Sequence, residues 1–225
     1  MSKKLKIMGM EFDNYTVWES MFQVEDFLNS STMNTVETIS METLVKLQTD
    51  EQLKNCLEEV DLLIISDKEI LKAAGVTSTQ RIQETASNEF FREFMKRAAR
   101  NNRTVYLLGD TGEQIENLQE FLTEHYSQIK VSGVYPLEQC VGDYDGVINE
   151  INIAEPDVIL SVISTPDQEY FLREHKEKLN AKIWYGLGDH YSSKKGVSEV
   201  AEFAKKLIQK GMMHSMMVRY GKKDE

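Results

Sequence analysis

The chain has 225 residues, of which 41% are hydrophobic and 28% charged, with 12 Gly and only 3 Pro; fibrous and intrinsically disordered classes are excluded. A net charge of −11 opposes the phosphate backbone, so nucleic acid is excluded as a partner. Two cysteines, Cys56 and Cys140, lack C-x-x-C spacing, which leaves no disulfide framework or thiolate metal site and points to a reducing, cytoplasmic compartment.

In chain order, the basic start is interrupted by Glu11 and Asp13, so no signal-peptide core is expected. A short strand is predicted at 5–8. A helix follows Thr16, where Thr16 and Glu19 have capping-box spacing and Trp18, Met21, Phe22 and Phe27 recur on one face. Further strands are predicted at 35–39, 61–65, 104–108, 129–134, 158–163 and 182–185. Helices are predicted at 41–58, 67–75, 88–100, 113–126, 142–153, 167–179 and 196–210. This alternation predicts an α/β fold, a doubly wound, Rossmann-like and mostly parallel sheet with helices on both faces. One domain is expected over 1–225, with the polar stretch 77–88 as an irregular seam or mobile loop. No aliphatic run approaches the ~20 residues that span a bilayer. Residues 194–225 carry 8 basic and 4 acidic side chains, and the Met-rich basic tail 211–225 suits either core or partner packing or weak contact with anionic lipid.

Three turns carry candidate chemistry. Gly109 and Gly112 close a strand and open a helix, where backbone amides can receive phosphate; the same pattern also describes a plain strand-to-helix turn. Thr165, Pro166, Gln168 and Glu169 follow the aliphatic run 158–163 and present polar groups at a strand's carboxyl end, or simply cap the next helix. Gly186 and Gly188 end another strand, followed by Asp189 and His190, candidates for proton transfer. Asp143 and Asp145 have D-x-D spacing, but acids at a helix start serve its dipole equally. The four histidines lack zinc spacing, so no metal and no cofactor are expected. No G-x-S-x-G elbow is present.

Together, the segments 6–13, 105–109, 147–152, 165–169 and 184–188 resemble the WecG/TagA/CpsF glycosyltransferases, glycosyltransferase family 26. The resemblance covers most of the chain. It implies transfer of an N-acetylamino sugar from a UDP-sugar to a polyprenyl-diphosphate-linked acceptor, in cell-surface polysaccharide or teichoic acid synthesis. It also implies an inverting, metal-independent reaction at the carboxyl edge of the sheet. Thr38 matches the family's active-site threonine, Arg81 the arginine of its R-V-x-G loop and Gln168 the glutamine of P-x-Q-E. The family's base aspartate falls on Ser66, with Asp67 beside it. Ser40 replaces an asparagine, Ser192 an aspartate, and Glu84 the glycine of the R-V-x-G loop. The turns and the resemblance together assign catalysis to Asp67, Thr38 and Asp189. Substrate binding falls to Arg81, Gly109, Gly112, Thr165, Pro166, Gln168, Glu169, Gly186 and Gly188. The expected partners are a UDP-sugar, a lipid-linked acceptor, the inner membrane face through the tail, and a further copy of the chain. Two other readings stay open: a catalytically impaired homologue serving as a sugar-nucleotide-binding or regulatory subunit, and an unrelated Rossmann-type nucleotide enzyme.

Overall fold

A computed structural model describes residues 3–188. Asp189, His190, Ser192, the helix expected at 196–210 and the Met-rich tail lie outside the described residues. The chain starts with a hairpin of β1 (Lys4–Ile7) and β2 (Met10–Asp13), paired antiparallel. Then follow α1 (Val17–Leu28), β3 (Asn34–Ile39), α2 (Met41–Lys46), α3 (Glu51–Glu58), β4 (Leu62–Ile65), α4 (Lys68–Ala73), α5 (Thr79–Ala86) and α6 (Glu89–Arg100). The second half runs β5 (Thr104–Gly109), α7 (Gly112–His125), β6 (Lys130–Pro136), α8 (Asp145–Ala154), β7 (Val158–Val162), α9 (Asp167–His175) and β8 (Ile183–Gly186).

Strands β3 to β8 form one parallel sheet in the order β4-β3-β8-β7-β5-β6. Alternate residues of each strand feed opposite faces, as the period of two requires. On β5, Val105 and Leu107 pack with Phe90, Phe94, Ile115 and Leu118 of α6 and α7. Tyr106 and Leu108 face the other way, into a cluster with Ile148, Ile151 and Phe171 of α8 and α9. A third cluster joins Ile39, Leu63 and Ile65 to α2, α3, α4 and the hairpin. The fold is therefore the doubly wound, Rossmann-like α/β arrangement.

Three local expectations are corrected. Residues 77–88 are not an irregular seam: Ser78 Oγ accepts the Arg81 amide and caps α5. This helix is polar in sequence yet buries Arg81 and Thr85, so it lacks the apolar stripe that marks a helix. The helix expected at 41–58 breaks in two because Asp50 caps α3, accepting the Leu53 amide at 2.9 Å. The hairpin partner β2 was not expected, since four residues carry too little alternation to register as a strand. Among the described residues no helix is long and apolar enough to cross a membrane.

Candidate active site at the carboxyl edge of the sheet

Because all six strands are parallel, the ends of β3, β4, β5, β7 and β8 share one edge. From β5 the chain moves outward to β6, whereas from the adjacent β7 it turns back to β8. Such a reversal opens a crevice at the strand ends, where open α/β sheets bind ligands.

The three turns read from the sequence meet here. Asp110, between Gly109 and Gly112, accepts both the Ser164 amide (2.9 Å) and the Ser164 hydroxyl (2.7 Å) on Oδ2. The Leu187 amide, between Gly186 and Gly188, donates to the Ser161 carbonyl at 2.8 Å. Lys46 Nζ from α2 donates to the Thr165 carbonyl at 2.5 Å, tying the β7–α9 turn to the end of β3.

At the start of α7 the Asp110, Thr111, Gly112 and Gln114 amides have protein partners. Gln114 Oε1 accepts from Asp110 and Thr111, Thr111 Oγ1 accepts from Gln114, and Glu138 Oε1 accepts the Gly112 amide at 2.7 Å. A carboxylate thus sits where the glycine pattern suggested phosphate, in the position that the positive end of a helix favours for an anion.

On the α9 side of the sheet, a buried polar cluster fills the space between β3, β8 and α9. Glu37 is 1% exposed; its Oε2 accepts from Gln168 Nε2 at 2.6 Å and its Oε1 from Trp184 Nε1 at 2.9 Å. Thr165 Oγ1 donates to Glu169 Oε1 at 3.0 Å. Burial, reinforced by the nearby Glu169 carboxylate, holds the Glu37 carboxyl well above the ordinary range. A Cβ on Gly186 would collide with Glu37 Oε2 and Gln168 Nε2. Gly188 has φ +49, and a Cβ there would lie 3.0 Å from Thr165 Oγ1. Both glycines are needed for the cluster to close, one for space and one for backbone conformation.

Thr38 lies on the opposite face, against the Tyr185 hydroxyl. Phe90 packs edge-on to the Tyr185 ring and also lines a hollow at the end of β4, with Asp13, Tyr15, Ser66, Arg81, Glu84 and Asn88. Arg81 is 7% exposed there, and burial lowers its pKa while the neighbouring Glu84 opposes the change. Glu84 is 3.5 Å from the Arg81 guanidinium and caps α1 by accepting the Val17 amide at 3.0 Å.

The edge therefore gathers the predicted residues into two groups. Thr38 and Arg81 lie on the α1/α6 face; Thr165, Pro166, Gln168 and Glu169 lie on the α9 face, and the glycines stand between them. Asp67 belongs to neither group: its Oδ2 accepts the Met41 amide at the start of α2, at 2.6 Å. Ser66 lines the Arg81 hollow, while its hydroxyl donates to the Ile39 carbonyl at 3.0 Å. Asp143 Oδ1 accepts the Asp145 amide at 3.2 Å and Asp145 Oδ1 faces Lys178 at 3.0 Å; among the described residues no group of three or more His, Cys, Asp and Glu side chains suits a metal ion. Sequence reasoning missed Glu37, Trp184, Asp110 and Glu138. Only Asp110 gave a local signal, through its place between two turn glycines.

The chain's residues 5–196 match the family model described as "Glycosyl transferase WecG/TagA/CpsF family". Among curated relatives, the N-acetylglucosaminyldiphosphoundecaprenol N-acetyl-beta-D-mannosaminyltransferases of Staphylococcus aureus strains NCTC 8325 / PS 47, COL and MRSA252 are each 26% identical over 190 residues. Each alignment covers 82% of this chain and 73% of the relative. With a family match across most of its length and the motif turns gathered at one sheet edge, the chain belongs to the WecG/TagA/CpsF glycosyltransferase family.

Proposed function

We propose that the protein transfers an N-acetylamino sugar from a UDP-sugar to a polyprenyl-diphosphate-linked acceptor, with inversion at the anomeric carbon. The acceptor hydroxyl oxygen attacks that carbon, the bond to the β-phosphate oxygen breaks, UDP leaves with the bonding electrons, and the acceptor's proton passes to a carboxylate. Thr38, Arg81 and Gln168 contact the donor in this reading. Asp67 is the described carboxylate nearest the family's base position, and Asp189 is the second candidate. The observation that carries the proposal is the convergence of the β5, β7 and β8 turns at the switch point, fastened by the bonds from Ser164 to Asp110. A lipid-linked acceptor also calls for contact with a membrane face, for which the basic tail 211–225 is suited.

One observation favours a second reading, a sugar-nucleotide-binding homologue without turnover. The Asp67 carboxylate is engaged by the Met41 amide, and a hydroxyl, Ser66, lines the Arg81 hollow. A positioned general base contributes about 10²–10⁴-fold in rate, so its loss would spare binding. The test is UDP release from UDP-N-acetylmannosamine with an N-acetylglucosaminyl-diphospho-polyprenol acceptor, alongside calorimetric titration with UDP. Turnover that falls about 10²–10⁴-fold in Asp67→Asn supports the transferase. Binding without turnover supports the second reading, and absence of UDP binding overturns both.

A further inference from the structure

Glu37 is an expensive residue to bury. It lies on β3, 1% exposed, and among the described residues no cation is bonded to its carboxyl. An apolar side chain of similar volume would pack between strand and helix without a desolvation penalty. What the carboxyl does instead is receive two donors from remote parts of the chain, Gln168 Nε2 at 2.6 Å and Trp184 Nε1 at 2.9 Å. Gly186 gives up a side chain for the same contact, since any Cβ there would strike Glu37 Oε2 and Gln168 Nε2.

The consequence falls on Gln168. Its side-chain amide would otherwise be free to turn end for end, since its oxygen and nitrogen are sterically alike. With Nε2 committed to Glu37 the other end is fixed as well, and Gln168 Oε1 is buried without a hydrogen-bond partner among the described residues. The amide sits directly beneath the glycine-lined end of β8, with Nε2 only 3.6 Å from a Cβ placed on Gly188. A buried acceptor left open beside a ligand edge suits a donor group on a ligand, such as a hydroxyl or acetamido N–H of a sugar.

We infer that Glu37 is a positioning residue, one that holds the Gln168 amide in the orientation that receives the sugar nucleotide. This rests on the transferase or binding reading above and adds a residue to it. Glu37 itself touches no substrate; its effect passes through Gln168.

Four proteins test it by calorimetric titration with UDP-N-acetylmannosamine and by thermal unfolding: wild type, Glu37→Gln, Glu37→Leu and Glu37→Asp. Glu37→Gln keeps one acceptor oxygen, which can still receive Gln168 Nε2 while its NH2 displaces the Trp184 bond, and is expected to bind within about threefold of wild type at a lower unfolding midpoint. Glu37→Leu removes the acceptor, and Glu37→Asp withdraws it by one methylene. Both are expected to weaken binding about tenfold, the equivalent of one hydrogen bond, while unfolding cooperatively above the titration temperature. Rescue by Gln at equal folded fraction is what a merely structural role would not produce. Should Glu37→Leu not fold, Glu37→Asp alone decides. Binding by a folded Leu or Asp variant within about threefold of wild type overturns the inference and leaves the transferase reading intact. Equal weakening in Glu37→Gln and Glu37→Asp also overturns it. A wild type that binds neither UDP nor UDP-N-acetylmannosamine removes both.

Discussion

A carboxyl group closed between β3, β8 and α9 has to carry a proton in the folded chain that it gives up in the unfolded one, because burial raises the Glu37 pKa in the fold alone. Below the ordinary glutamate range both states are protonated and the contribution is complete. As pH rises through that range only the unfolded state ionises, so stability falls until folded Glu37 ionises too, with a limiting slope of about 1.4 kcal/mol per pH unit. Glu37→Gln lacks this slope. Its thermal midpoint is therefore expected to gain on wild type between pH 5 and pH 7.5, and a gap that does not change with pH would contradict the assignment. At the neighbouring position, Gly186→Ala drives a methyl into Glu37 and Gln168 and is expected to cost about 1–3 kcal/mol in urea unfolding. Combined with Glu37→Ala, that cost should fall below the sum of the two single changes, since both act on one contact. None of this was legible in the chain: a glutamate in a strand reads as a solvated side chain. What buries Glu37 comes from residues 131 and 147 positions away. Arg81 and Thr38 were legible only through the motif resemblance, because no local pattern singles them out, whereas Gln168 also followed from its place after the aliphatic run 158–163.

Among the elements, two adjacent strand pairs are fastened alike at their amino ends. Asp61, before β4, accepts the Thr35 amide and hydroxyl of β3 at 2.8 and 2.9 Å and returns its own amide to Thr35 Oγ1 at 3.0 Å. Asp157, before β7, does the same with Thr104 of β5, at 2.9, 3.2 and 3.0 Å. These clasps set the register of β3 with β4 and of β5 with β7 at the edge opposite the site. Asp157→Ala is accordingly expected to lose about 1–3 kcal/mol in chemical unfolding while UDP affinity stays at the wild-type value. The α7 terminus behaves in the opposite way. Glu138 occupies the Gly112 amide, so Glu138→Gln should tighten UDP binding about 2–5-fold if the diphosphate seats there, the effect of one charge at a helix end. An unchanged affinity would move the diphosphate away from α7. Most elements were readable because their signals are local: the Thr16 and Glu19 capping box is present as expected, and β5 and β7 are built on largely apolar runs. Helix α5 was not, since its buried face is Arg81 and Thr85 rather than a hydrophobic stripe.

For the whole molecule, alternation of strand and helix announced a parallel sheet, but the strand order could not be read from it. Placing β7 and β8 between β3 and β5 depends on which faces find partners, a property of the assembled layers. That order is what brings residues 37, 110, 164, 168 and 186 to one rim. Along β4, Asp13 from the opening hairpin accepts the Leu63 amide at 3.0 Å and is itself held by Lys4 at 2.7 Å. A chain begun after residue 13 would present a bare row of strand amides with Leu63 and Ile65 uncovered, an invitation to pair with its own kind. Such a truncated protein is expected to scatter light and elute as large species at concentrations where the full chain does not. The first thirteen residues would then serve solubility as well as lending Asp13 to the wall of the Arg81 hollow.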